Sequence, residues 1–201
     1  MASIPTTILK LLFRAGMKRD IRDPDKLVRH LRRVMNAPLA PSLLPRGVRL
    51  KRGKVAGIAG HWLGTADPQI TILYLHGGAF IGGRLDTYHH FCGRLAHALN
   101  ARVFLPDYRL APENPFPAGL DDAKAAYLAL LEQGIRPEQI ALAGDSAGGG
   151  LALALALRLR DEGIGLPGAI AVFSPWTDLP HSQLYEPSAE PSPPNRRSSK
   201  A

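Results

Sequence analysis

The chain has 201 residues, 45% hydrophobic and 21% charged, an ordinary globular balance that fits one domain with a sizeable core. A single cysteine, Cys92, rules out an internal disulfide, so disulfides and cysteine-based metal sites are not what staples the fold, and the longest apolar run, from Leu151, is too short to span a bilayer. The net charge of +8 is lopsided, with 14 Lys/Arg against 3 Asp/Glu in residues 1–60 and 11 against 14 in the rest. A basic segment of that kind can face nucleic acid or an anionic membrane surface. No Phe, Tyr or Trp interleaves with the basic residues between 18 and 54, so the charge reads as a solvated helix face and no nucleic-acid partner is expected. Lys10 and Arg14 interrupt the N-terminal apolar patch; it does not read as a secretory signal, and the default compartment is the cytoplasm.

In chain order, residues 6–17 place Ile8, Leu11, Leu12 and Ala15 at helical spacing. Residues 24–35 do the same with Leu27, Val28, Leu31, Val34 and Met35, and Asp23-Pro24 supplies a helix cap and first turn. Pro38, Pro41 and Pro45 end this pattern, so residues 1–46 read as two amphipathic helices and a linker. From Gly47 the texture turns to strands, with an antiparallel hairpin expected around Gly53 and Lys54. ITILYLH is a continuous apolar strand of the buried kind, followed by a helix around Phe91, Leu95, Ala98 and Leu99, and by the strand RVFLP. AGLDDAKAAYLALLEQG is a helix stopping at Gly134; QIALAG is a strand; SAGGGLALALALRLRDEG is a helix; GAIAVFS is a strand. Leu and Ala alternate strictly over 151–157, nominally a strand signal, but both are strong helix formers and no β-branched residue appears. Apolar on every side, that helix is expected to be buried all round. The order β, α, β, α, β, α, β from residue 70 predicts an α/β fold: a mostly parallel sheet with helices on both faces. Residues 180–201, with five prolines and five serines, are expected to be a disordered tail.

Two glycine-rich stretches carry chemistry. GDSAGGG, residues 144–150, follows an apolar strand and opens a long helix, which is the context that makes G-x-S-x-G more than a glycine turn. Gly144 and Gly148 flank Ser146 because larger side chains would collide with the neighbouring strand and helix. Asp145 completes the motif. Ser146 is then a nucleophile at the apex of a tight strand-to-helix turn, and the N–H of Ala147 lies at a helix N-terminus, where donors are unpaired. No Gly-Lys-Ser/Thr follows, which disfavours a phosphate loop. LYLHGGAF places His76, Gly77 and Gly78 after a strand, and glycines there let backbone N–H groups turn into a site. Donors from Gly77, Gly78 and Ala147 would converge on a tetrahedral oxyanion. His76 precedes the nucleophile and sits at a strand end, so it reads as a brace for the glycine loop rather than a base.

With DYRLAPENPFPAGLDD (107–122) and SPWTDL (174–179), these stretches resemble the hormone-sensitive-lipase-like branch of the α/β-hydrolase superfamily. Four motifs in the same order carry the resemblance, over about residues 50–179. It implies a core over 47–179, N-terminal cap helices over 1–46 that help form an acyl pocket, and hydrolysis of a small-molecule carboxylic ester, short to medium in its acyl chain, through an acyl-enzyme on Ser146. It implies Gly77, Gly78 and Ala147 as the oxyanion hole, with no metal and no organic cofactor.

The family's triad acid and histidine follow the serine in that order. After Ser146 the acids are Asp161, Glu162, Asp178, Glu186 and Glu190, and the one histidine is His181, three residues beyond SPWTDL. None matches the family's triad position, so the sequence reads as a C-terminally truncated member with its late strands missing and its catalytic competence in doubt. Residues 168–174 then become an exposed apolar edge strand, and the expectation is a chain that is marginal alone or self-associates along that edge. The rival reading is a non-catalytic ligand binder, as in the plant gibberellin receptors that resemble the same branch; a third is a degraded fragment without function.

Overall fold

A computed structural model of the chain describes residues 23–36 and 43–177. The expected helix over 6–17, Asp178, His181 and the tail over 180–201 lie outside the described residues. One six-stranded sheet organises the rest, in the order β1-β2-β4-β3-β5-β6, where β1 is Arg49–Val55, β2 Ile58–Gly64, β3 Ile70–Leu75, β4 Ala101–Pro106, β5 Ile140–Asp145 and β6 Ala169–Phe173. The strands from β3 onward are mutually parallel, and the hairpin β1–β2 adds antiparallel to β4. The predicted mostly parallel α/β sheet is therefore present.

Period-two geometry explains why β3 reads as a continuous apolar run. Ile72 and Tyr74 enter a core with Val103, Leu105, Cys92 and Ala96, whereas Leu73 and Leu75 enter the opposite core with Phe104, Leu142 and Tyr127. Helix α2 (His89–Ala98) covers the first face; α3 (Ala118–Glu132) and α4 (Ser146–Asp161) cover the second. Among the described residues no helix is long and apolar enough to cross a membrane.

Two expectations are corrected. The hairpin turn falls at Ala56-Gly57, not Gly53-Lys54; these residues have φ of 50° and 78°, and Gly53 sits inside β1 opposite Gly60. A two-residue hairpin turn needs left-handed φ at both centre positions, which Gly57 satisfies at no steric cost. Helix α4 is buried on one face only: Leu151, Ala152, Leu155 and Leu159 are in the core, but Leu157 is exposed. The Leu-Ala alternation distributes leucines around the helix, and the sheet can cover only one side.

Helix α1 (Pro24–Met35) forms as its sequence predicts, with the Asp23 carboxylate accepting from Lys26 N–H at 3.1 Å and Pro24 in the first turn. None of its residues is fully buried. It is tied to the core by polar contacts: Arg32 donates to the carbonyls of Ile81 (2.5 Å) and Ala111 (2.8 Å) and pairs with Glu113, and Asn36 Oδ1 accepts from Gly83 N–H at 2.9 Å.

Candidate active site

The sheet order contains a reversal. The chain leaves β3 for β4 on one side and returns past it to β5 on the other, with α2 and α3 on opposite faces. Loops leaving β3 and β5 thus diverge at their carboxyl ends, which is where open α/β sheets bind ligands. The loop after β3 holds His76, Gly77 and Gly78, and the end of β5 holds Asp145 and Ser146.

Ser146 is the first residue of α4, has φ of +50° and is exposed. A non-glycine residue held in this left-handed region stores of order 1–3 kcal/mol and persists only where the surroundings fix it. Gly144 and Gly148 show what fixes it. A Cβ on Gly144 would lie 2.5 Å from the Gly148 carbonyl oxygen, and one on Gly148 would overlap the carbonyls of Leu75 and His76. The turn closes only with both side chains absent. Trp176 N–H donates to the Ser146 carbonyl at 2.8 Å, and its ring stacks on Phe80, so the SPW stretch secures the turn from the far side. The Ser146 hydroxyl has no hydrogen-bond partner among the described residues.

Asp145 is a hub. One carboxylate oxygen accepts from Tyr74 OH (3.0 Å) and Gly77 N–H (3.0 Å), the other from Tyr88 OH (3.1 Å). Gly77 N–H also lies 2.9 Å from the Tyr88 oxygen. Gly77 was expected to aim its N–H at an oxyanion; here that N–H is directed to Asp145 and Tyr88, because the carboxylate occupies the space a Gly77 Cβ would need. The N–H of Gly78 donates to no such partner among the described residues. That of Ala147 lies in the first turn of α4, where no intrahelical acceptor exists.

His76 is fully buried. Its Nδ1 is 2.9 Å from the Gly77 carbonyl oxygen, its ring stacks on Tyr108 at 4.4 Å, and Tyr108 OH donates to its carbonyl at 2.6 Å. Burial pushes its pKa below the usual histidine value, so the ring is neutral. The DYRLAPENPFPAGLDD stretch acquires its roles here. Tyr108 braces His76, Arg109 makes a forked pair with Asp122 of α3 at 2.7 Å, and Glu113 receives Arg32 of α1.

Tyr74, Tyr88, Arg32 and Asn36 were not singled out from sequence. Tyr74 had a legible signal, since a tyrosine inside an apolar strand needs an acceptor for its hydroxyl. The other three meet their partners through contacts distant in sequence, and no local pattern announces them. No group of three or more His, Cys, Asp or Glu that could hold a metal ion occurs among the described residues.

Residues 72–198 match the model of a family described as having the alpha/beta hydrolase fold. The chain belongs to that family. Within it, this alpha/beta hydrolase is hormone-sensitive-lipase-like: an esterase from the bacterial hormone-sensitive lipase family superposes with a TM-score of 0.73 at 35% identity, over 89% of this chain and 60% of that one. EstE5, whose crystals were soaked by p-nitrophenyl butyrate, gives a TM-score of 0.73 at 35% identity, over 87% of this chain and 59% of that one. Among curated relatives, the putative acetyl-hydrolase LipR of Mycobacterium tuberculosis is 41% identical over 74% of this chain and 49% of its own length. An esterase of Acinetobacter venetianus is 37% identical over 86% of this chain and 59% of its own length. The chain thus spans about half the length of the curated relatives it matches.

Proposed function

We propose that the chain carries the nucleophile and oxyanion donors of a serine carboxylic-ester hydrolase acting on small-molecule esters with short to medium acyl chains. The observation that carries this reading is the strained, exposed Ser146 at the β5–α4 junction. The names of the relatives support the ester class. Ser146 Oγ adds to the ester carbonyl carbon, and the carbonyl electron pair moves onto oxygen. The N–H groups of Gly78 and Ala147 hold that oxyanion, and one such donor lowers a barrier by roughly 3–4 kcal/mol. Collapse expels the alcohol and leaves an acyl-enzyme, which water hydrolyses. Gly77 and Asp145 hold the loop, and His76 braces it as a neutral ring.

The Ser146 proton has no acceptor among the described residues and passes to water or to a base outside them. Loss of the base alone costs a serine hydrolase on the order of 10⁶ in turnover, while an oxyanion hole retains roughly 10³–10⁴ over water. Any ester hydrolysis by the 201-residue chain is expected to depend on Ser146. A fluorophosphonate probe should label wild type and not Ser146→Ala, and p-nitrophenyl butyrate hydrolysis should drop to background in the variant. Equal labelling and equal rates in both proteins would favour the non-catalytic ligand binder instead.

Strand β6 supports a proposal about partners. It lies at the sheet edge, and Ile170 and Phe173 are each 42% exposed. An apolar, unpaired edge templates pairing with another chain. Sedimentation of the chain should show concentration-dependent association that Ile170→Lys reduces; a monodisperse wild-type monomer at high concentration rules it out.

A further inference from the structure

The bonds around Asp145 do more than fill a buried corner. We infer that Tyr88 is a positioning residue of the site, acting with Asp145 to lock the Gly77 peptide to the strand that carries Ser146; this rests on the reading of Ser146 as a nucleophile. Asp145 is one peptide bond from Ser146, and Gly77 is one peptide bond from Gly78. The clamp therefore fixes the two halves of the proposed oxyanion hole against each other across β3 and β5.

Proton accounting supports the assignment. Three donors converge on one carboxylate: Tyr74 OH at 3.0 Å, Gly77 N–H at 3.0 Å and Tyr88 OH at 3.1 Å. An ionised carboxylate is an acceptor only, so every donor proton finds a lone pair. Hydrogen bonds to a charged acceptor are about twice as strong as neutral ones. Tyr88 is bifunctional, since its hydroxyl gives its proton to Asp145 and its oxygen lies 2.9 Å from Gly77 N–H. Burial and the nearby carboxylate raise the pKa of Tyr74 and Tyr88, which keeps both hydroxyls protonated. Tyr88 is held in turn by its place at the N-terminus of α2, whose Cys92 and Ala96 are fully buried, and by ring contacts to Tyr74 and His76 at 5.8 Å each.

Tyr88→Phe keeps the ring and removes the hydroxyl. A misplacement of about 1 Å in a catalytic constellation costs roughly 10²-fold, so fluorophosphonate labelling of Ser146 is expected to slow by about 10- to 100-fold. The denaturant midpoint should stay close to wild type, which separates positioning from folding. In the same full-length proteins, NMR exchange of the Gly77 amide should accelerate in the variant. Wild-type labelling together with unchanged Gly77 exchange in Tyr88→Phe overturns the inference. If wild-type Ser146 is not labelled at all, the nucleophile reading fails, and Gly77 exchange alone still decides whether the clamp exists.

Discussion

The serine turn and helix α1 are fastened in opposite ways. Ser146 and the glycine loop stand on buried strands, with glycine contacts too close for any side chain and hydrogen bonds to the Asp145 carboxylate. Helix α1 has no fully buried residue and is attached through Arg32 and Asn36 at the loop over Ile81–Gly83 and at Ala111 and Glu113. The first attachment is steric and largely insensitive to solvent; the second is electrostatic and open to salt and pH. A sterically fixed serine turn beside a helix held by polar contacts is what this difference teaches.

The largest expected effect breaks the steric side. Gly148→Val places side-chain atoms against the carbonyls of Leu75 and His76 and should cost about 3 kcal/mol or more, read as a lowered denaturant midpoint. A midpoint equal to wild type would show that the turn is not close-packed. Strain at Ser146 predicts a smaller effect of opposite sign. Ser146→Gly should be more stable than Ser146→Ala by about 1 kcal/mol, because only glycine adopts φ of +50° without penalty. Equal melting of the two variants removes the strain argument.

On the α1 side, Arg32→Ala removes two carbonyl bonds and the Glu113 pair at once. Limited proteolysis should then cut within 23–46 several-fold faster, with the core midpoint little changed. Cleavage at the wild-type rate would mean that apolar contacts, not Arg32, hold the helix. Adding salt to wild type should shift cleavage in the same direction, more weakly.

The smallest effect sharpens the comparison through pH. The Arg32 guanidinium holds the Glu113 carboxyl down to about 2, so this pair's contribution is present above pH 4.5 and is lost as pH falls toward 2. His76 has the opposite charge type but the same sense. Its folded pKa lies below the usual 6.5, so the unfolded chain takes up more protons there and stability falls as pH drops below 6.5. Melting of the core should therefore soften from pH 6.5 downward, whereas Glu113→Gln should lower stability by a small constant amount above pH 4.5, a difference that vanishes as pH falls toward 2. A core melting temperature flat between pH 6.5 and 5 contradicts the buried neutral His76.

Much of the fold was legible because its signals are local. Strand β3 announces two-sided burial by its run of apolar residues, and Asp23-Pro24 announces the start of α1. The hairpin was legible but its turn was not, since Gly53-Lys54 and Ala56-Gly57 both look like turns until pairing to β4 fixes the register. At the site, the strand-to-helix turn at Ser146 and its glycine flanks could be read from spacing. The assignment of Gly77 could not, because whether its N–H faces an oxyanion or Asp145 depends on a contact 68 residues away.

The sequence alone determined the order of elements, the parallel sheet and the strand-to-helix turn at Ser146, since periodicity and glycine placement act over a few neighbouring residues. Only the tertiary structure decided where the Gly77 N–H points, which face of α4 is buried, and that Tyr88 and Arg32 bridge segments far apart in the chain. Those outcomes follow from hydrogen bonds and packing between segments far apart in the chain, and each donor has one proton that three-dimensional proximity alone assigns.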